Sequence, residues 1–316
     1  MNLGLVVYSL DVIVYMGIFA IVALSLNLEY GFTGLGNFGK VAFFLAGAYT
    51  YAIVMERTGI PFYLALIMAM LVSAGIGFLV SLPALRLRED YLAIVTLAIG
   101  EVLRLIVKTE DSIAHGVWGI TVPPAIHWSG MSVLEMRMVN IGLVYFCLIL
   151  CFILVQLMTK SPYGRILRAV REDEVAAEAL GKNRVRYKAQ VFMLGSALAG
   201  LGGGLYAQYM RFIDPSGFMP MVTFTVWIMV IVGGPANNWG VLLGAVLVIL
   251  FERGARIIKD YLLLPTWLDP INLQYILFGV LVIVLLAYRP HGLLKERQLE
   301  TKAIEGVQQW KNRSSE

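Results

Sequence analysis

The chain has 316 residues, of which 59% are hydrophobic and 15% charged, against the ~25% charged residues of an ordinary soluble domain. Twenty-one acidic and twenty-five basic side chains cannot cover a globule of this size, so most of the surface must face lipid. The net charge of +4 is too small to point to nucleic acid, and in such a chain the informative quantity is where the positive charges sit.

A membrane span needs ~20 apolar residues. The N-terminal stretch MNLGLVVYSLDVIVYMGIFAIVALSLNL has no basic n-region and no small-residue cleavage site, so it reads as a retained first span over about 7–28 and not as a signal peptide. Asp11 and Glu29, near the ends of that span, read as interfacial. A glycine-rich break, YGFTGLGN, follows, bracketed by Asn27 and Asn37. Broken backbone at membrane depth is tolerated where it lines a cavity; a loop at the interface is the other reading. Gly34, Gly39 and Lys40 fit the spacing G-x-x-x-x-G-K. Val41 stands where a phosphate-binding loop needs Ser or Thr, and a membrane helix follows, so no ATP site is expected there.

Runs at 37–55 and 61–82 come next, then Arg86 and Arg88, then a run at 91–107. Glu101, Arg104 and Lys108 share a face of this fourth run. They form either a polar vestibule or a local pairing that lowers the cost of insertion. The segment 108–138 carries His115 and His127, too scattered to assign a metal or acid–base role. In the run 139–159, Cys147 and Cys151 are four apart on one face; zinc would need more ligands, and small interface hydrophobes are the plainer reading. Runs at 189–210, 218–233, 239–257 and 271–288 complete nine, all helical, because isolated strands cannot satisfy their backbone in lipid. Ser196, Gly200 and Gly204 recur every four residues, as do Gly240 and Gly244, which lets helices approach closely. Glu252 and Arg256 are an i,i+4 pair. Trp118, Trp128, Trp239 and Trp267 fit interface positions. The polar stretch 298–316 reads as a frayed tail.

Lys and Arg cluster over 160–188 and again at Arg289, Lys295 and Arg297. Both clusters should be cytoplasmic. Two loops on one side need an even number of crossings between them. The short run 218–233 could be re-entrant by length, but parity requires it to cross. The N-terminus is then outside and the C-terminus inside.

The segment 160–188 reads KSPYGRILRAVREDEVAAEALGKNRVRYK. Ser161 can cap a helix, Pro162 can fill its first position and Gly181 can end it. Ile166, Ala169, Val170, Ala176, Ala177 and Leu180 fall near one face, and Glu178 and Lys182 are an i,i+4 pair. A short amphipathic helix is expected. It could rest on headgroups, but Glu172, Asp173, Glu174 and Glu178 would then meet an anionic leaflet. A groove on a partner protein suits its mixed charge better.

SPYGRILRAVREDEVAAEALG resembles the cytoplasmic coupling segment of permeases in the branched-chain amino-acid ABC importer family. LRLREDYLAIVTLAIGEVLRLI at 85–106, LNLEYGFTGLGNFGKVAFFLAGAYT at 26–50, IVGGPANNWGVLLGAVLVILFE at 231–252 and LVIVLLAYRPHGLL at 281–294 are similar to further segments of that family, in order along nearly the whole chain. GGPANNWG, NFGK at 37–40 and IAHGVWGITVPP depart from its usual pattern, which bears on substrate more than on family.

The resemblance implies an all-α polytopic membrane helix bundle of about nine spans with a cytoplasmic coupling helix, one permease domain over 1–297 and a cytoplasmic tail over 298–316. It implies a coupling set of Gly164, Arg165, Arg168, Ala169, Arg171, Glu172, Asp173, Glu174, Ala177 and Gly181, placed against an ATPase. It implies a heterodimer with a second related permease, two ATP-binding subunits and an external substrate-binding protein, in the cytoplasmic membrane. ATP would be used by the partners, with no cofactor on this chain, which would be a transport subunit and not an enzyme. Asn27, Asn37, Thr96, Glu101 and Glu252 are the expected path residues. Branched-chain or other hydrophobic amino acids are the implied substrates, with urea or short amides as the alternative. An ion-coupled transporter would show repeats and midplane ion ligands, and a membrane-embedded enzyme a nucleophile–base or metal set; neither is legible here.

Overall fold

A computed structural model describes residues 3–85, 87, 89–125, 132–261, 276, 279–280, 283–284, 287–289 and 291–296. The expected run 271–288 and tail 298–316 lie largely or wholly outside these residues, as do Arg86, Arg88, His127, Trp128, Trp267, Arg297 and the side chains of Arg256 and Lys259.

The first eight expected runs all fold as helices. They are α1 (Leu3–Leu26), α2 (Lys40–Thr58), α3 (Phe62–Ala84), α4 (Glu89–Thr109), α6 (Val133–Lys160), α9 (Arg184–Met210), α10 (Pro220–Gly233) and α11 (Asn238–Tyr261). Between them lie the short α5 (Asp111–Ala114) and, after α6, α7 (Pro162–Glu172) and α8 (Glu174–Ala179). Four stretches are long and apolar enough to cross a bilayer by length and composition: Val6–Gly31, Phe62–Ala84, Val133–Lys160 and Arg184–Met210. Large apolar side chains stay exposed on these helices, Leu71 at 66% and Leu157 at 67% among them. Such a surface would aggregate in water and is satisfied in lipid.

The helix ends follow from local chemistry. Ser132 and Glu135 close a capping box at the start of α6. Asn183 accepts from the Arg186 N–H and caps α9. Pro162 and Pro220 occupy first-turn positions, where their missing N–H costs nothing.

Helix α9 is central and packs on α1, α2 and α3. The four-residue spacing of small residues is its contact seam. Ser196 lies against Gly77, and Gly200 lies between Gly47 and Ser73. A Cβ on Gly200 would stand 2.8 Å from the Ala69 carbonyl oxygen. The second small-residue repeat joins α10 to α11: a Cβ on Gly233 would come within 2.6 Å of the Gly240 carbonyl carbon.

Helix α1 is about 36 Å long at 1.5 Å per residue, and its contacts define two ends of the bundle. At the Tyr8 end, the Tyr8 hydroxyl donates to the Arg253 carbonyl of α11 at 3.0 Å. At the Gly31 end lie α7, the α10–α11 turn and residues 291–296. Helix α10 is only 14 residues, about 21 Å, less than the ~30 Å hydrocarbon core. The strand β2 (Phe212–Ile213) pairs antiparallel with β1 (Ile120–Thr121), Ile120 opposite Ile213, and a 3-10 turn at Pro215–Phe218 leads into the helix. The far end of α10 meets Leu293 and Leu294, whose N–H groups donate to the carbonyls of Val232 and Gly233.

Candidate functional site

The break after α1 gathers five buried polar or charged residues, Asn27, Glu29, Thr33, Asn37 and Lys40. Helix α1 ends in a π-helical turn, Asn27–Gly31, a rare geometry that inserts a residue and re-aims side chains. It turns Glu29 inward, and the irregular segment 34–39 then delivers Lys40 as the first residue of α2. Lys40 Nζ sits 2.7 Å from Glu29 Oε1, with both side chains at 0% exposure. Asn37 Nδ2 donates to Glu29 Oε2 at 2.9 Å. Glu29 is therefore buried within the bundle, where the π turn aims it.

The surroundings are built to receive the pair. A Cβ on Gly195 of α9 would stand 2.7 Å from Glu29 Cδ. A Cβ on Gly39 would stand 2.7 Å from the Thr96 carbonyl carbon of α4. Thr96 Oγ accepts from the Phe38 N–H at 3.1 Å, and Thr223 Oγ of α10 accepts from the Val41 N–H at 3.0 Å. Trp227 of α10 donates to the Asn37 carbonyl and stacks on Phe38 at 4.6 Å. Asn27 donates to Asn238 Oδ1 and accepts from the Ala236 N–H, both at 2.9 Å. Asn238 donates in turn to Gln156 of α6 at 2.7 Å. The unwound segment thus ties α1, α2, α4, α6, α10 and α11 together through hydrogen bonds as well as apolar packing.

Beneath the break lie α7 and α8. The expected single helix is two, because Asp173 is extended (φ −153°, ψ 104°) and its carboxylate caps α8 through the N–H groups of Val175 and Ala176. Ser161 does not cap α7; its hydroxyl donates to the Met158 carbonyl at 2.7 Å. Glu178 pairs with Arg184 at 2.9 Å, not with Lys182. Glu174 pairs with Arg184 and Lys188, fastening α8 to α9. Burial pushes the Glu174 carboxyl up, but the hydrogen bonds and charges of Lys188 and Arg184 outweigh it and hold the pKa below the usual 4.5. On the upper face of α7, Arg171 donates to the Gly31 carbonyl and to Glu296. Arg168 lies 5.1 Å from the Phe32 ring centroid and pairs with Glu296 at 3.1 Å. Phe32 and Gly31 belong to the break, so α7 grips it directly.

With this geometry in place, comparison with known proteins decides the family. The family described as branched-chain amino acid transport system / permease component matches residues 8–286. The chain belongs to that permease family. The probable branched-chain amino acid transport permease protein LivM of Methanocaldococcus jannaschii is 32% identical over 92% of this chain and 94% of its own length. The high-affinity branched-chain amino acid transport system permease protein LivM of Salmonella typhimurium is 31% identical over 94% of this chain and 72% of its own. The probable LivH permease of M. jannaschii is 25% identical over 76% and 78%. No solved structure matches.

In this permease the expected coupling set divides by environment. Arg165, Ala169, Glu172 and Asp173 are exposed. Gly164 and Ala177 are buried, and a Cβ on Gly164 would stand 2.7 Å from the Thr159 Cα. Gly181 turns the chain at φ +75°. Of the apolar stripe read from sequence, Val170 and Ala177 are buried, together with Leu167, while Ala169, Ala176 and Leu180 face outward, Leu180 at 78% exposure beside Val175 at 74%. Asn27, Asn37 and Thr96 lie at the break with their side chains buried. Glu101 lies apart, pairing locally with Arg104 at 2.9 Å. Glu252 lies near the opposite end of the bundle, on α11. Glu29, Lys40, Asn238 and Trp227 were missed. The sequence signals for the first two were present, but one was read as an interface residue and the other as a failed phosphate loop.

Proposed function

We propose that this permease is the LivM-type half of an ATP-driven importer, which moves branched-chain amino acids across the cytoplasmic membrane through a heterodimer with a LivH-like partner. Two ATPase subunits supply the energy and an external binding protein supplies the substrate; this chain hydrolyses no ATP. The bundle has nine spans, the N-terminus outside and α7–α8 in the cytoplasm. The observation that carries the reading is the two-sidedness of α7–α8. One face offers Arg165, Ala169, Glu172, Val175 and Leu180 to a partner, and the other holds the break through Arg171 and Arg168.

The mechanism follows from those contacts. Closure of the ATPase dimer displaces α7–α8. Arg171 carries that displacement to the Gly31 carbonyl, and the hydrogen-bonded segment 27–39 shifts against α4 and α10. A segment held by directional bonds has alternative discrete arrangements, which is what a gate between inward and outward access requires. The Glu29–Lys40 pair keeps the gate neutral in lipid while it moves.

Reconstitution of the chain with its partners in proteoliposomes tests the reading. Leucine accumulation should require ATP, stop with an ATPase inhibitor and survive an uncoupler. The reverse sensitivity would identify an ion-coupled carrier, and uptake of urea in place of leucine would overturn the substrate.

A further inference from the structure

At the end of the bundle remote from α7–α8, a cavity of about 300 Å³ opens between α1, α6, α9 and α11, at the small end of the ~300–1,000 Å³ typical of small-molecule pockets. Among the described residues that line it, one carboxylate faces two arginines. Asp11 of α1 is met by Arg137 of α6 and by the Tyr209 hydroxyl, both on Oδ1. Arg253 of α11 is the surplus cation. Its guanidinium carbon lies 3.9 Å from the Tyr15 ring centroid, its Nε is buried and hydrogen-bonds nothing, and among the described residues it has no ion pair. An orphaned guanidinium N–H in a half-buried setting is costly, and a planar fork of this kind matches a carboxylate.

We infer that this cavity is a receiving site for the carboxylate of a small hydrophobic amino acid. The ligand's carboxylate pairs with Arg253, its ammonium takes Asp11 Oδ2, and its side chain lies against Val12, Tyr15 and Met210. A bound carboxylate leaves two anions facing two arginines and satisfies the free Nε. The inference rests on the importer reading, which places this end of the bundle outside, where a binding protein would release its cargo. It places the zwitterion-binding role not on Glu101 and Glu252, two of the path residues expected from sequence, but on residues of three helices, α1, α9 and α11.

The test uses the full chain in membrane vesicles, with Cys147 and Cys151 replaced by alanine and one cysteine introduced by Met210→Cys. Its modification by a sulfonate-bearing methanethiosulfonate should be about tenfold faster than by a trimethylammonium-bearing one, because a surplus cation concentrates anions. Leucine and 4-methylpentanoate should slow the reaction, whereas leucinamide, lacking the carboxylate, should not. Arg253→Met should abolish both the anion preference and the protection, and Arg253→Lys should retain the preference. Equal rates for the two reagents with Arg253 intact, or no protection by leucine, would overturn the site. Failure of the importer reading would look different: protection would persist while the assembled complex showed no ATP-driven uptake.

Discussion

Lys40 and Glu29 are eleven residues apart, on either side of a glycine-rich segment, and each is fully buried. Removing one partner of such a pair leaves a lone charge in a dry interior, at a cost of about 3–5 kcal/mol, whereas replacing both with apolar or neutral groups is far cheaper. Lys40→Met and Glu29→Gln should each lower the melting temperature of the purified chain sharply. The double variant should recover most of that loss while ATP-driven uptake stays depressed. A double variant as unstable as the sum of the singles would argue against a coupled pair. The pair was not legible in the sequence because pairing rules read regular spacing within a helix, and this contact runs across an aperiodic loop. The same limit hid Arg253: the i,i+4 rule selected Glu252 and Arg256, while Arg253 faces a tyrosine on another helix.

At the level of elements, the small-residue seam and the α7–α8 unit make separate predictions. Gly200→Val places branched bulk where even a Cβ meets Ser73 and the Ala69 carbonyl. It should destabilise the bundle by at least the 1–3 kcal/mol of an overpacked core, measured as lost folded protein after detergent extraction. The spacing was legible and so was its consequence, because close approach in lipid depends on residue size alone. The break at Asp173 was not legible: a stretch rich in Ala and Glu favours one continuous helix, and the Asp173 cap together with the tertiary clamping of Glu174 to Arg184 and Lys188 makes two. That clamp titrates. Its carboxyl has a folded pKa below 4.5, so its contribution is present above the unfolded value and lost as pH falls through the folded one. Hydrogen exchange at 174–180 should therefore accelerate on acidification below about pH 4.5, and Glu174→Gln should exchange quickly at neutral pH. Exchange in the variant matching that of the parent at neutral pH would remove the clamp. Glu172→Lys, on the exposed face, should leave the fold intact and cut uptake at least about tenfold, a loss of about 1.4 kcal/mol in docking.

For the whole molecule, two ends about 36 Å apart along α1 hold different machinery. One has a charged cavity, the other a gripped break above a two-faced helical unit. Hydrophobic runs anticipated the first eight helices, since a backbone in lipid must satisfy itself within helices. They gave no view of which side chains converge, because convergence depends on rotations about helix axes that composition does not set. The most direct test of the account labels a single cysteine at Leu180, with the native cysteines replaced, using a membrane-impermeant thiol reagent. Labelling should occur in inverted vesicles only, and should fall when the ATPase subunits are bound. Labelling from the outside of intact cells, or labelling in inverted vesicles that the ATPase subunits leave unchanged, would contradict it.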